Sequence, residues 1–226
     1  MIRAVVFDLD HTLYDRYATI ALAPNFVRER VTVREGVTDE ELVAVWSECD
    51  RRFMHHGLDR LYTELINSGL FAEPLPSLEY MLDLHYELYT SFAVEYSFAK
   101  PTVMKLKERG FKVALITNGK PYVQRKKLEM LGMEELFDEV IVGGEYGLQK
   151  PHKEIFDEMA HRLGVKNGEM MYVGDHPIND VKGSEDAGCV PVWVATVPWC
   201  FPDMPMPRLC VDTADKVLEL DELKAE

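Results

Sequence analysis

Short, almost continuous apolar runs recur along the chain, and segments with helical periodicity lie between them. Runs without alternation predict strands that are buried on both faces, as in a parallel sheet. Pro121 ahead of Tyr122–Leu131 and the stop at Gly132 are typical of a crossover helix. The Pro-rich segment 197–207 predicts an irregular loop, followed by a last strand and a final helix. The alternation predicts an α/β fold with a doubly wound, parallel-sheet, Rossmann-like core. The predicted strands are Ala4–Phe7, Lys112–Ile116, Val140–Val142, Met170–Val173, Val190–Ala195 and Leu209–Val211.

Residues 16–97 interrupt this alternation with amphipathic helical patterns and no convincing strand. Thr38 and Glu41 form a capping box at the start of one predicted helix. Ser77 can cap a longer helix that reaches about Tyr96. The pattern therefore predicts an all-helical cap domain inserted into the α/β core. The predicted domains are 1–15 with 98–226 for the catalytic core, and 16–97 for the cap.

The composition is that of an ordinary globular protein, with 47% hydrophobic and 28% charged residues among 226. A formal net charge of −14 argues against binding to nucleic acid or to an anionic membrane. No apolar run approaches the roughly 18 residues of a transmembrane helix, and no signal-peptide pattern opens the chain. We therefore expect a cytoplasmic protein; its oligomeric state is left open by the sequence.

Two carboxylates end the first predicted strand. Asp8 and Asp10 are two positions apart, so they point to the same side of an extended chain. Two negative charges at the end of a buried strand are costly unless a cation neutralises them. Oxygen ligands suit a hard ion such as Mg²⁺. Taken alone, the pair is explained equally well by a turn or a helix cap.

Thr117 and Asn118 follow the second predicted strand and precede a helix start. Free backbone N–H groups at a helix start, together with a hydroxyl and an amide, favour an anionic oxygen. The alternative is an ordinary strand-to-helix turn shaped by the Asn118–Gly119 pair.

Two later segments carry further charged residues near predicted strand ends. Lys150 lies in a loop ahead of a helix, where a solvated lysine is the usual case. Asp175 follows the strand Met170–Val173, with Asp180 five residues later, and an acidic turn is the alternative. Because ligands of doubly wound sheets bind beyond the carboxyl ends of the strands, these residues are candidates for one site with Asp8.

In their order along the chain, these segments resemble the four motifs of the haloacid dehalogenase (HAD) superfamily. Asp8-x-Asp10-x-Thr12 resembles the first motif, Thr117 the second, Lys150 the third, and Gly174-Asp175-x-x-x-x-Asp180 the fourth. The helical insertion matches the place of the family's cap, so the resemblance covers the whole chain. The stretches TNGKPYVQRKKLEMLGM and GLQKPHKEIF look most like the small-molecule phosphatases, including nucleotidases and acylneuraminate 9-phosphatases.

The resemblance implies a Mg²⁺-dependent phosphatase acting on a small soluble phosphomonoester, such as a nucleoside monophosphate or a sugar phosphate. It implies Asp8 as the nucleophile that forms an aspartyl-phosphate, and Asp10 as the acid and then the base. The metal would be held by the carboxylates of Asp8 and Asp175 and the backbone carbonyl of Asp10.

The same resemblance implies how the phosphoryl group is held. Thr117 and Lys150 would bind its oxygens, with help from the amide or the backbone N–H of Asn118. Asp180 would orient Lys150 or a metal-bound water.

Other functions remain open at this point. A phosphomutase shares all four motifs and would release no free phosphate without a phosphorylated activator. A catalytically silent binding or regulatory module would be expected to lack a motif residue, and none is missing. A dehalogenase is disfavoured, because such relatives need no Mg²⁺ and generally lack the acid that Asp10 supplies.

Overall fold

Six parallel strands form the central sheet in the part of the chain that the structure describes. They are β1 (Ala4–Phe7), β2 (Lys112–Thr117), β3 (Glu139–Val142), β4 (Met170–Gly174), β5 (Val190–Val194) and β6 (Leu209–Val211). The structure, a computed structural model, describes residues 1–197 and 207–224. The strands lie in the order β3-β2-β1-β4-β5-β6, and each neighbouring pair is parallel. The predicted α/β core is confirmed, whereas nearly all of the predicted loop 197–207 lies outside the described residues.

Burial explains why the strands read as continuous apolar runs. All four residues of β1 are fully buried, and successive side chains of a strand point to opposite faces, so both faces of the sheet are covered. The strand order reverses at β1, which has β2 on one side and β4 on the other. The crevice for ligands in such sheets opens at this reversal, beyond the carboxyl ends of the strands.

Ten α-helices occur in the described residues. They are α1 (Arg16–Ala21), α2 (Ala23–Arg28), α3 (Asp39–Phe53), α4 (Leu58–Ile66), α5 (Leu78–Ser91), α6 (Ala99–Glu108), α7 (Pro121–Leu131), α8 (Gly143–Tyr146), α9 (Lys153–Leu163) and α10 (Gly183–Asp186). A π-helical turn at Pro177–Lys182 precedes α10. None of these helices combines the length and the apolar composition that crossing a membrane requires.

The chain forms two compact units, residues 1–15 with 95–226 and residues 16–94. The first unit thus takes in residues 95–97, which were expected in the cap. Glu95 pairs with Tyr14, and the N–H of Tyr96 donates to the carbonyl of Leu13 at 3.0 Å. These backbone bonds attach the segment to the turn that follows β1.

The inserted unit, residues 16–94, consists of α1 to α5. Thr38 and Ser77 cap α3 and α5 as expected, since their hydroxyls accept backbone N–H groups at 3.2 Å. Inside the unit, Arg16 donates both Nε and Nη2 to Asp50, with the shortest bond at 2.7 Å and both side chains buried.

Two predicted helices differ in the structure: one ends earlier than expected, and the other is not an α-helix. α5 stops at Ser91 rather than near Tyr96, because Phe92 is already extended. The prediction of a final helix was wrong, because the chain forms 3₁₀ segments at Ala214–Glu219 and Asp221–Leu223 instead. Leu220 between them is extended, so the two segments do not join into one helix.

Candidate active site

The acidic residues that follow β1 and β4 lie at the carboxyl edge of the sheet. The two strands are neighbours, with Phe7 opposite Val173, so Asp8 and Asp175 emerge close together. The N–H of Asp8 donates to the carbonyl of Val173 at 2.9 Å. This pairing continues the ladder by one bond and holds Asp8 at the point where the strand order reverses.

A tight turn follows Asp8. The carbonyl of Leu9 accepts backbone N–H groups from residues 12, 13 and 14. His11 has a φ of 61°, a left-handed conformation that few non-glycine residues adopt, histidine more often than most. The hydroxyl of Thr196 donates to the carbonyl of His11 at 2.7 Å, which fastens the turn to the loop after β5. The turn directs the chain away from the sheet immediately after Asp10.

Lys150 lies between two buried carboxylates. Its Nζ donates to Asp8 Oδ1 at 2.5 Å, to Asp180 Oδ1 at 2.7 Å and to the carbonyl of Ile116 at 3.2 Å. Burial disfavours the charged ammonium, but the carboxylates of Asp180 and Asp8 raise the pKa of Lys150 well above its ordinary value. Lys150 is therefore a fixed cation beside Asp8.

Burial disfavours the charged form of Asp8 as well. It raises the pKa of Asp8 to about 7, against the attraction of Lys150, and the negative charges of Asp180 and Asp10 add to the rise. The carboxylate form of Asp8 is thus costly in this site and gains from any further positive charge that enters it.

Asp8, Asp175 and Asp180 form a buried acidic cluster. Each offers a carboxylate oxygen, and these oxygens all lie within 4.8 Å of one another. Two of them, Asp8 and Asp180, share the ammonium of Lys150, so among the described contacts the three carboxylates bring more negative charge than this cation can neutralise. Buried carboxylate oxygens at this spacing are the ligands that a hard divalent cation such as Mg²⁺ takes. The donor set therefore fits Mg²⁺.

Asp180 is held on several sides. Its Oδ2 accepts the N–H of His176 at 2.9 Å, and its Oδ1 accepts the hydroxyl of Tyr172 at 3.4 Å as well as Lys150. Gly174 makes this approach possible, because a Cβ there would lie 2.5 Å from the Asp180 carboxyl group. Asp180 thus contacts Lys150, and its expected role in orienting Lys150 or a metal-bound water stays a prediction.

The carboxyl group of Asp10 does not join this acidic cluster within the described residues. Its Oδ1 accepts Lys127 Nζ at 2.5 Å, and its Oδ2 accepts Gln124 Nε2 at 2.8 Å. The expected metal contact of Asp10 concerns its backbone carbonyl, and it stays a prediction. The two residues that donate to its side chain here, Gln124 and Lys127, both lie on α7.

Sequence analysis missed Gln124 and Lys127. Together with Leu128 and Leu131 they occupy positions i, i+3, i+4 and i+7 of α7, and all four are buried. The sequence could have indicated them, because two polar residues share the helical spacing of the apolar positions Leu128 and Leu131, and buried polar groups require partners.

The side chain of Asn118 binds the backbone of Lys150. Its Nδ2 donates to the carbonyl of Lys150 at 2.9 Å, and its Oδ1 accepts the N–H of Lys150 at 3.0 Å. The amide therefore holds the backbone that carries Lys150. The expected phosphate contact of Asn118, through its amide or its backbone N–H, stays a prediction. Thr117, next to it, accepts Gln124 Nε2 at 2.5 Å and donates to the carbonyl of Asn118 at 3.2 Å.

Asn118→Ala should destabilise the protein, because it leaves the buried N–H and carbonyl of Lys150 unsatisfied. Each such group costs about 1–3 kcal/mol, so the free energy of unfolding in urea should fall measurably. Asn67→Ala is the control, since that amide makes one exposed bond, to the carbonyl of Thr63 at 2.9 Å. Equal stability of the two variants would contradict this role of Asn118.

Comparison with known proteins gives three kinds of similarity. A family model described as haloacid dehalogenase-like hydrolase matches residues 5–194. The chain is 35% identical over 198 residues to glyceraldehyde 3-phosphate phosphatase of Methanopyrus kandleri, covering 85% of this chain and 83% of the relative. It is 28% identical to human N-acylneuraminate-9-phosphatase over an alignment of 245 positions, covering 98% and 93%. Its fold is similar to that of the putative HAD-hydrolase YfnB from Bacillus subtilis, with a TM-score of 0.76, 19% identity, and coverage of 96% and 97%.

Proposed function

This chain belongs to the haloacid dehalogenase-like hydrolases, as a relative of their phosphatases, and we propose that it hydrolyses small soluble phosphomonoesters with the help of Mg²⁺. The observation that carries the proposal is the position of Asp8. Its buried carboxyl group lies 2.5 Å from a fixed lysine cation and within 4.8 Å of two further carboxylates. An anionic phosphoryl group and a divalent cation are the two species that this combination of charges accommodates.

In the first step, Asp8 attacks phosphorus and forms an aspartyl-phosphate. The bond from phosphorus to the ester oxygen breaks, its electron pair stays on that oxygen, and Asp10 supplies the proton. In the second step, water attacks the same phosphorus while Asp10 takes up a proton from it. Inorganic phosphate leaves and the carboxylate of Asp8 is restored, so Asp8 and Asp10 return to their starting states.

Thr117 and Lys150 hold the phosphoryl oxygens during both steps. Lys150 is a cation at neutral pH, and its backbone is fixed by the amide of Asn118. Fixed positive charge is most useful where negative charge is transferred, because it needs no reorganisation during the reaction.

We assign Mg²⁺ to the carboxylates of Asp8 and Asp175, with the backbone carbonyl of Asp10. When bound, Mg²⁺ keeps Asp8 ionised and reduces the repulsion between its carboxylate and the phosphoryl oxygens. Asp180 belongs to the same cluster, but it already accepts from Lys150 and from the N–H of His176.

A short three-carbon phosphate is the first substrate class to test. The relative from Methanopyrus kandleri is a glyceraldehyde 3-phosphate phosphatase, and 85% of this chain is matched to it. Larger esters belong on the same panel, because the human relative is an N-acylneuraminate-9-phosphatase. The panel is completed by hexose phosphates and nucleoside monophosphates.

Release of inorganic phosphate from this panel should require Mg²⁺ and stop when the ion is removed with EDTA. The excess negative charge of the acidic cluster is the physical reason, since without the ion it repels the substrate. Activity should return on adding Mg²⁺, and circular dichroism of the chelated protein serves as the control for folding. No release from any ester by the folded, Mg²⁺-loaded protein would overturn the proposal. Release that needs a phosphorylated activator would indicate a phosphomutase.

A further inference from the structure

A buried polar connection runs from α7 to the turn that follows β1. Gln124 and Lys127 are each only 3% exposed, although both are polar and lie on the helix face that packs inward. Burying an ammonium and an amide is costly unless each finds partners. Their partners are Asp10 and Thr117, two residues to which the proposed reaction assigns chemistry.

Lys127 is confined between an anion and a ring. Its Nζ lies 2.5 Å from Asp10 Oδ1 and 4.6 Å from the centre of the Tyr14 ring. A short charge-assisted bond and a cation–π contact together fix the ammonium. Because Asp10 and Tyr14 lie on opposite sides of the tight turn, Lys127 holds both ends of it.

Gln124 links Asp10 to Thr117. Its Nε2 reaches Asp10 Oδ2 at 2.8 Å and Thr117 Oγ1 at 2.5 Å. The NH₂ group must face Asp10, because the carbonyl oxygen of the amide would repel a carboxylate, and its two hydrogens serve the two acceptors. With its oxygen accepting from Gln124, the hydroxyl of Thr117 keeps its own hydrogen for donation. It donates now to the carbonyl of Asn118 at 3.2 Å.

We propose that Gln124 and Lys127 are positioning residues, which hold the carboxyl group of Asp10 toward the leaving oxygen and keep the hydroxyl of Thr117 as a donor to the phosphoryl group. Both contacts are made to the carboxyl oxygens of Asp10, so together they fix the direction of its carboxyl group. An acid in general catalysis must lie within hydrogen-bond reach of the atom it protonates. This inference rests on the proposed phosphatase function.

The test compares two esters of nearly the same shape, phenyl phosphate and 4-nitrophenyl phosphate. Phenolate is a strong base and needs a proton as it leaves, whereas 4-nitrophenolate leaves readily without one. The ratio kcat/KM covers the steps up to departure of the leaving group, so it isolates the part of the reaction in which Asp10 donates. A purely structural defect lowers both values by the same factor.

Lys127→Met should lower kcat/KM for phenyl phosphate by about 100-fold, and for 4-nitrophenyl phosphate by less than about tenfold. Lys126→Met is the matched control. It removes the same charge from the same helix, but Lys126 is exposed and pairs with Glu129 at 2.9 Å. Both of its values should stay within about twofold of the wild-type values.

Gln124→Met provides a second variant that changes no charge and so keeps the test decisive if Lys127→Met fails to fold. It should show the same dependence on the leaving group and a raised KM, because Thr117 is no longer oriented. Equal losses with both esters, or no loss, in a folded variant would overturn the inference. Failure of the wild-type protein to hydrolyse either ester with Mg²⁺ would instead count against the proposed function, so the two failures are distinguishable.

Discussion

Asp8→Asn should lower the rate of turnover by about 10⁵-fold or more while leaving the fold unchanged. An amide in this position cannot form the acyl-phosphate bond on which both steps depend. Among the described carboxylates, only Asp180 also pairs with Lys150. The substitution also removes one of three carboxylates that lie within 4.8 Å of each other. Without Mg²⁺ the Tm of the variant should therefore equal or exceed that of the wild-type protein.

The measurement for Asp8→Asn has two parts. Phosphate release gives the rate, and intact-mass analysis after acid quenching shows whether the wild-type protein, but not the variant, carries a phosphoryl group during turnover. Asp186→Asn is the control, because that exposed carboxylate pairs with Lys182 at 2.6 Å on the surface. A variant that turns over at the wild-type rate would remove Asp8 from the role of nucleophile.

Lys150→Met should lower both activity and stability. The ammonium contacts Asp8 and Asp180, and all three side chains are buried. Removing one partner of a buried ion pair costs about 3–5 kcal/mol, because the remaining charges stay buried without compensation. A divalent cation can replace part of the lost charge, so Mg²⁺ should raise the Tm of this variant more than that of the wild-type protein.

Thermal unfolding with EDTA and with Mg²⁺ tests this expectation. Lys153→Met is the matched control, because Lys153 lies three residues further on and pairs with Asp157 on the surface at 2.5 Å. Its Tm should change little, since exposed ion pairs contribute up to about 1 kcal/mol. If Lys150→Met were as stable as Lys153→Met, the buried ion pairs would not have the importance that we give them.

The catalytic candidates were predictable because each lies where a strand ends. Asp8 and Thr117 come directly after, or at the end of, apolar runs, and parallel strands bring their carboxyl ends to one edge. Asp175 follows β4 in the same way, whereas Lys150 and Asp180 lie in later segments that only the resemblance to the HAD motifs singled out. These residues are brought together by topology, which a regular pattern of strands and helices specifies in advance.

The contacts of Asn118, Gln124 and Lys127 were not predictable in the same way. Asn118 was expected to help bind the phosphoryl group, and nothing in the sequence indicated that its amide also binds the backbone of Lys150, 32 residues later in the chain. Lys126 and Lys127 are neighbours in the sequence, and Lys127 is buried whereas Lys126 is exposed. A one-residue difference on a helix rotates a side chain by about 100°, so packing decides which lysine meets Asp10.

Local pattern alone determined the strands, most of the helices and the place of the helical insertion, and it placed Asp8, Thr117 and Asp175 at strand ends. These features follow from periodicity and from caps, which act over a few neighbouring residues. The tertiary structure decided the partners: Lys150 between Asp8 and Asp180, Asp10 between Gln124 and Lys127, and Asn118 on the backbone of Lys150. Each of these contacts joins residues at least 30 positions apart, and only the packing of separate elements sets such distances.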